Sequence, residues 1–112
     1  MSKFSFEDIG AVVATFAAGS GVKGGQVVKV TENGTVDACG DGEAFCGVAM
    51  EPRKGGAAVQ VKGFVTVPYT GELTLGWATL AANGSGGVKV NSTGVQALVV
   101  SVDGVDTAVV CL

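Results

Sequence analysis

The sequence predicts a small all-β domain: an antiparallel barrel or sandwich of about eight short strands, preceded by an N-terminal arm. Two observations support this fold class. From residue 26 onward, short valine-rich runs alternate with turn residues at close and regular spacing. No segment in that region has the length and caps of a crossover helix. The expected division is an arm over residues 1–20 and a β-rich domain over residues 21–112.

The arm differs from the rest of the chain in its pattern. Its apolar residues recur at spacings of three and four, which is the period of a helix: Phe6, Ile9, Val12, Val13 and Phe16. Gly10 and the β-branched residues disfavour a helix. An extended arm that orders against a partner fits the same residues, as does an integral helix or strand of the core. Glycines at 21, 24 and 25 predict a flexible hinge after it.

Two hairpins are predicted from dipeptides between apolar runs. The first joins 27–31 to 35–38 through Asn33-Gly34. The second joins 98–102 to 105–110 through Asp103-Gly104. In two-residue turns of this kind both residues take a positive φ, which is the conformation expected here.

A long alternation lies between the hairpins. One face carries Val59, Val61, Val65, Val67 and Tyr69, and the other carries Gln60, Lys62 and Thr66. Gly63 predicts a kink, and Pro68 places the end of this strand at a sheet edge. Residues 45–50, 73–80 and 88–90 supply further strands. Trp77 is expected to fill the core, because Leu75 and Leu80 flank it.

The composition disfavours catalysis. The chain has no histidine and only 15% charged residues. Histidine-dependent triads and histidine-containing zinc sites are therefore excluded. We expect no enzyme, no cofactor and no metal site. Asp37, Asp41 and Glu43, like Asp103 and Asp106, are interpreted as solvated turn carboxylates.

Several partner classes are also disfavoured. The seven basic residues are scattered, so no stripe exists to neutralise nucleic-acid phosphates. The apolar stretch from residue 9 to 18 is too short to span a membrane. The three cysteines are Cys39, Cys46 and Cys111, and they are interpreted as small buried hydrophobic residues, with a Cys39–Cys46 disulfide as the alternative.

The last two apolar runs indicate a covered surface. Residues 98–102 and 108–112 are apolar on both faces of a strand, so something besides the local sheet must cover one face. An uncharged strand edge left bare would template aggregation. A protein packed against neighbouring subunits satisfies both constraints, which favours a closed oligomer.

Five strings of the sequence resemble one family when taken together. They are the segments 25–30 (GQVVKV), 33–36 (NGTV), 45–49 (FCGVA), 61–68 (VKGFVTVP) and 75–78 (LGWA). They resemble the capsid decoration, or head cement, proteins of tailed bacteriophages. The similarity covers residues 21–112 and consists of turns and strands rather than a catalytic signature.

The resemblance implies a structural virion protein on the exterior of the capsid, assembled in the host cytoplasm. It implies a homotrimer that clamps and stabilises the lattice of the major capsid protein. In lambda-like members an N-terminal arm orders on docking. The capsid-contact candidates implied here are Phe4, Phe6, Ile9, Val12 and Val13. The helix-compatible arm departs from that pattern, which leaves open whether it docks on capsid or on its own oligomer.

An alternative function is a carbohydrate-binding or host-adhesion module displayed on a virion. Trp77 and Tyr69 could form a stacking platform for a sugar, and the loop from Asn83 to Gly87 could border it. Loss of glycan binding on replacing Trp77 would distinguish this function from capsid decoration.

Overall fold

The protein is an all-β domain. The computed structural model describes residues 11–112, and these contain ten strands and no helix. The strands are β1 Val12–Ala18, β2 Val27–Glu32, β3 Thr35–Ala38, β4 Gly47–Ala49, β5 Gly56–Lys62, β6 Phe64–Pro68, β7 Gly76–Ala82, β8 Val88–Val90, β9 Val95–Val102 and β10 Thr107–Cys111. The predicted fold class is confirmed. The strand count exceeds the prediction because residues 12–18 form a strand and the long central alternation forms two.

The strands make two sheets. One is a closed barrel with the order β1-β3-β2-β4-β5, and the other is a five-stranded sheet with the order β6-β10-β9-β7-β8. Adjacent strands pair antiparallel except for β1 and β3, which are parallel. Within residues 11–112, no helix is long and apolar enough to cross a membrane.

Strand β1 closes the barrel. It pairs with β5 from Val12 opposite Lys62 to Ala17 opposite Gly56, and it meets β3 at Ala17 and Ala18. Residues 12–18 therefore form an integral strand of the domain, one of the alternatives left open by the sequence, and not an arm separate from it. Their β-branched side chains favour a strand. Phe4, Phe6 and Ile9 lie outside the described residues.

The glycine-rich segment after β1 is bonded to the barrel. Gly19 donates its N–H to Val36 O, and Gly25 donates to Ala49 O, each at 2.8 Å. The Gly21 N–H donates to the Asp37 carboxylate at 3.0 Å. Val22, between them, is buried in the barrel. This segment, predicted as a hinge, is thus held along the barrel wall.

Gly63 forms the corner between the two sheets. Its φ is 100°, a value that side chains other than hydrogen rarely allow. A Cβ at this position would lie 2.8 Å from Ala11 Cα. The kink predicted here is therefore a complete change of sheet, with β5 in the barrel and β6 in the second sheet.

Hydrogen bonds hold this corner from both sides. The buried Gln60 amide donates through Nε2 to Lys62 O at 3.2 Å and to Phe64 O at 2.8 Å. The Leu112 N–H donates to Gly63 O at 2.9 Å. Gln60 lies on the face opposite Val59, as the alternation predicts. It is nevertheless buried, and burial is tolerated because its amide is hydrogen-bonded to these carbonyls.

Both predicted hairpins are present as β2–β3 and β9–β10. The predicted backbone of their turns is wrong. Gly34 and Gly104 have φ of 67° and 78°, whereas Lys54 is the one non-glycine residue in the described range with positive φ. A register shift between Val30 and Glu32 gives the first hairpin the extra residue of a bulge. A bulged turn needs positive φ at only one position.

Two core clusters share the wall made by β2. The barrel cluster contains Val22, Val28, Val36, Ala49, Ala57 and Val59. The larger cluster joins Val27, Phe45 and Val48 to the inner face of the second sheet, including Leu80 and Val110. Because side chains alternate along a strand, Val28 points into the barrel and Val27 points to the second sheet.

Loop hydrogen bonds reinforce the junction. Gly42 N–H donates to Ala82 O at 2.8 Å, and Ala82 N–H donates to Glu43 O at 2.9 Å. Val27 N–H donates to Gly86 O at 3.0 Å. The two sheets are therefore parts of one folding unit.

Replacing Gly63 with alanine should lower the free energy of unfolding by at least about 2 kcal/mol, since it combines backbone strain with a steric clash. Urea denaturation measures the loss. Gly71→Ala is the matched control, because Gly71 has φ of 77° and a Cβ there meets no atom within 4 Å. Equal losses in the two variants would show that the contact with Ala11 is not a constraint.

Candidate interaction surface

Trp77 lies on the outer face of the second sheet. On β7, Leu80 and Ala82 belong to the larger core cluster, and Ala78 packs against it. Alternation along the strand therefore directs Trp77 away from the core. Its side chain is 69% exposed. The prediction that Trp77 fills the core is wrong, because the neighbouring leucines do not mark a common buried face.

The strand register places Trp77 at the end of an apolar row. Trp77 is opposite Leu98, Leu98 is opposite Cys111, and Cys111 is opposite Phe64. The row crosses β7, β9, β10 and β6, which is roughly 14 Å at the usual strand spacing. Val109 lies on the same side of β10 as Cys111, and Leu75 precedes Trp77 by two residues. We call this surface the apolar face; it contains Phe64, Trp77, Leu98, Val109 and Cys111, and the exposed Leu75 precedes it in the sequence.

The sheet that carries the apolar face is uncharged over four strands. Strands β6, β7, β9 and β10 contain no aspartate, glutamate, lysine or arginine. Leu75 is 65% exposed beside Trp77. An antiparallel sheet with one face in water ordinarily shows polar residues there, and this face has uncharged ones, since Thr79 is opposite Gln96 and Val109 is opposite Thr66 and Ser101. Trp77 is exposed, Leu98, Val109 and Cys111 are half-buried, and an apolar surface of this kind indicates an interaction site.

The carboxylates between β3 and β4 make structural contacts. Glu43 pairs with the Lys29 ammonium and accepts the Gly40 N–H. The bond to Lys29, followed by that from Gly40, lowers the pKa of Glu43. Asp41 pairs with Lys89 at 2.7 Å. In residues 11–112, histidine, cysteine, aspartate and glutamate side chains form no group of three that could hold a metal ion.

Asp103 organises the β9–β10 turn. Its Oδ1 accepts the N–H groups of Val105 at 2.7 Å and Thr107 at 3.1 Å, and its Oδ2 accepts the Thr107 hydroxyl at 2.7 Å. The bond from the Thr107 hydroxyl and those from backbone N–H groups lower the pKa of Asp103 to about 2. This carboxylate therefore caps a turn.

The three cysteines are free thiols, each partly buried. Cys39 packs against the larger core cluster and Cys46 against the barrel cluster. Burial, assisted by the nearby Glu43 charge, raises the pKa of Cys39 to about 11. Burial also raises the pKa of Cys46. Both thiols therefore stay protonated at neutral pH, which is unfavourable for nucleophilic attack.

An open groove of about 510 Å³ lies on the outside of the barrel beside β1. Thr15, Met50, Glu51 and Arg53 line it together with residues 56–58. The groove lies on the barrel, whereas the apolar face belongs to the second sheet.

Trp77 and Tyr69 do not form a common platform. Tyr69 follows β6 and packs against the larger core cluster, whereas Trp77 faces away from it. In the loop from Asn83 to Gly87, the Asn83 side chain accepts the Ser85 and Gly87 N–H groups. Trp77 is thus the aromatic ring of this pair that is available to a ligand.

Two capsid-contact candidates lie on the barrel wall. Val12 is 51% exposed and Val13 is 45% exposed on β1. They belong to the barrel and not to the sheet that carries the apolar face. The structure therefore presents two separate apolar surfaces; the sequence named residues of the one on the barrel and indicated the other only through runs that are apolar on both faces.

The apolar face left a partial signal in the sequence. The two-sided apolar character of residues 98–102 and 108–112 predicts that one face is covered. The alignment of Leu98 with Trp77 and Cys111 depends on strand order and register, which the sequence does not specify. Neither a protein-family model nor a curated protein matches this chain.

Replacing Asp103 with alanine should destabilise the protein at neutral pH, and this effect should vanish in acid. The folded-state pKa is depressed from 3.8 to about 2, so the stabilisation is present above the upper value and is lost as the pH falls through the lower one. Urea midpoints of wild type and variant measured across this range test it. Asp106→Ala in the same turn is the control. A difference that persists unchanged in acid would contradict the capping role.

Proposed function

We propose that this protein is a structural capsid decoration protein of a bacteriophage. In this proposal it binds the outside of the head as an oligomer and stabilises the lattice of the major capsid protein. It catalyses no reaction. The observation that carries the proposal is the apolar face on four uncharged strands. The resemblance of residues 21–112 to decoration proteins supports the same function.

The physical argument is the cost of leaving the apolar face in water. Burying one large apolar side chain contributes about 1.5–3 kcal/mol. Leu75 and Trp77 are both more than half exposed, so an interface over them gains this term in each subunit. Repeated over many copies on a shell, a modest contact per subunit gives a large total. A protein that acts by adding buried area needs no reactive group.

The two apolar surfaces would make two different contacts. In this proposal the apolar face joins copies of the protein into a homotrimer, and the N-terminal residues up to Val13 contact the major capsid protein. The two surfaces belong to different sheets, so both contacts can form at once. The lack of charge on β6, β7, β9 and β10 suits an interface between identical copies, because no like charges meet.

A second candidate function is glycan binding by a virion-displayed module. The exposed Trp77 ring favours it, since aromatic faces stack on sugars. The burial of Tyr69 against the core removes the second ring of the expected platform. Loss of glycan-array binding in Trp77→Ala, with the fold retained, would favour this function over capsid decoration.

The double substitution Leu75→Ser and Trp77→Ser should convert the oligomer into monomers, because it removes the most exposed apolar surface of the second sheet. Sedimentation velocity of the purified protein measures this. Val105→Ser is the matched control: Val105 is 79% exposed but lies in the β9–β10 turn. A wild type that is monomeric at all concentrations, or an oligomer that survives the double substitution, would contradict the interface.

Deleting residues 1–10 should abolish binding to heads while leaving the domain folded. The deletion stops at residue 10 because β1 begins at Val12 and closes the barrel. Heads lacking the protein are mixed with wild type or truncated protein and then heated. Wild type should raise the temperature at which heads burst, and the truncated protein should not. Equal bursting with and without wild type would refute capsid stabilisation.

A further inference from the structure

We propose that Asn33 is a site of spontaneous deamidation at the seam of the barrel, and that Asn83 is protected from the same reaction. Both asparagines precede glycine, so their local sequence predicts the same reactivity. The fold separates them, because it leaves one side chain unrestrained and holds the other.

The reaction needs only water. The backbone nitrogen of the glycine attacks Cγ of the asparagine side chain, which forms a C–N bond and a five-membered succinimide. The bond from Cγ to the side-chain nitrogen breaks, and ammonia leaves with the proton lost by the backbone N–H. Water then opens the ring at either carbonyl and yields aspartate or isoaspartate. Glycine favours the first step because it has no Cβ to obstruct the approach.

The Asn33 side chain is free to react. Asn33 is exposed at the tip of the β2–β3 hairpin. Its bond within residues 11–112 involves the backbone carbonyl, which accepts the Thr35 hydroxyl at 3.4 Å, and not the side-chain amide. A Cβ built on Gly34 meets no atom within 4 Å. The turn therefore has room for the side chain to fold back onto the next backbone nitrogen.

The Asn83 side chain is held at both ends. Its Oδ1 accepts the N–H groups of Ser85 at 2.8 Å and Gly87 at 3.1 Å. Its Nδ2 donates to the Thr70 hydroxyl at 3.2 Å. The next residue is also enclosed, since a Cβ on Gly84 would lie 3.1 Å from the Asp41 side chain. Cyclisation of Asn83 requires these bonds to break first.

Reaction at Asn33 would act on the one parallel pairing of the barrel, between β1 and β3. Strands β1 and β3 share only the pairs Ala17–Thr35 and Ala18–Val36. The Ala17 N–H donates to Gly34 O, and Gly19 N–H donates to Val36 O, each at 2.8 Å. Isoaspartate adds one carbon to the backbone immediately before Gly34. It should therefore displace the carbonyl that anchors β1.

The test incubates the full-length protein in warm, mildly alkaline buffer and follows both asparagines by peptide mass spectrometry. In the folded protein Asn33 should convert at least about tenfold faster than Asn83, since each lost hydrogen bond slows the protected site. In concentrated urea the two rates should become similar. Equal rates in the folded protein, or a slow Asn33, would overturn the proposal.

A second measurement tests the effect on the seam. Protein aged to isoaspartate at position 33 should show faster amide hydrogen exchange at Ala17 and Gly19 than fresh protein. The variant Asn33→Asp separates charge from backbone change and should exchange like fresh protein. Asn33→Gln should resist ageing, because cyclisation of the longer side chain is slower. Unchanged exchange in the aged protein would overturn the link to the seam.

Discussion

The corner at Gly63 is the constraint on which the rest of the structure depends. The longest alternating segment of the chain would form one strand if it ran straight, and both cores would then belong to one sheet. A φ of 100° at Gly63, with Ala11 against it, instead directs β5 into the barrel and β6 into the second sheet. The Gln60 amide and the Leu112 N–H satisfy the carbonyls that this reversal exposes. The corner thus determines which side of the second sheet packs on the barrel and which side remains outside.

The separation of charge follows from the same architecture. The ion pairs Lys29–Glu43 and Lys89–Asp41 lie where the barrel meets β8 and the loops. Strands β6, β7, β9 and β10 have no charged residue. The larger core cluster needs only one face of these strands. Their other face carries the apolar row from Trp77 to Phe64 together with neutral polar residues such as Thr66, Thr79 and Gln96, and the proposed interface between copies would bury it.

The polar chemistry of the described chain is used mainly to hold turns. Asp103 caps the β9–β10 turn, Asp37 accepts the Gly21 N–H, and Asn83 bridges its own loop to Thr70. Burial keeps Cys39 and Cys46 protonated. Asn33 differs because its side chain makes no such bond. The proposed deamidation of Asn33 rests on this difference.

The sequence by itself determined the all-β class, both hairpins and the break at Gly63, because alternation and turn residues act over a few neighbouring positions. It also indicated that one face of the apolar runs 98–102 and 108–112, which form the last hairpin, must be covered. It wrongly predicted that Trp77 fills the core. It also predicted positive φ at both residues of each hairpin turn, whereas only the glycines have it. A pattern of period two defines two faces of a strand but does not say which is buried; that depends on the neighbouring sheet. Only the tertiary structure decided that β1 closes a barrel and that Trp77, Leu98, Cys111 and Phe64 share a row, because strand order and register arise from contacts between residues far apart in the chain.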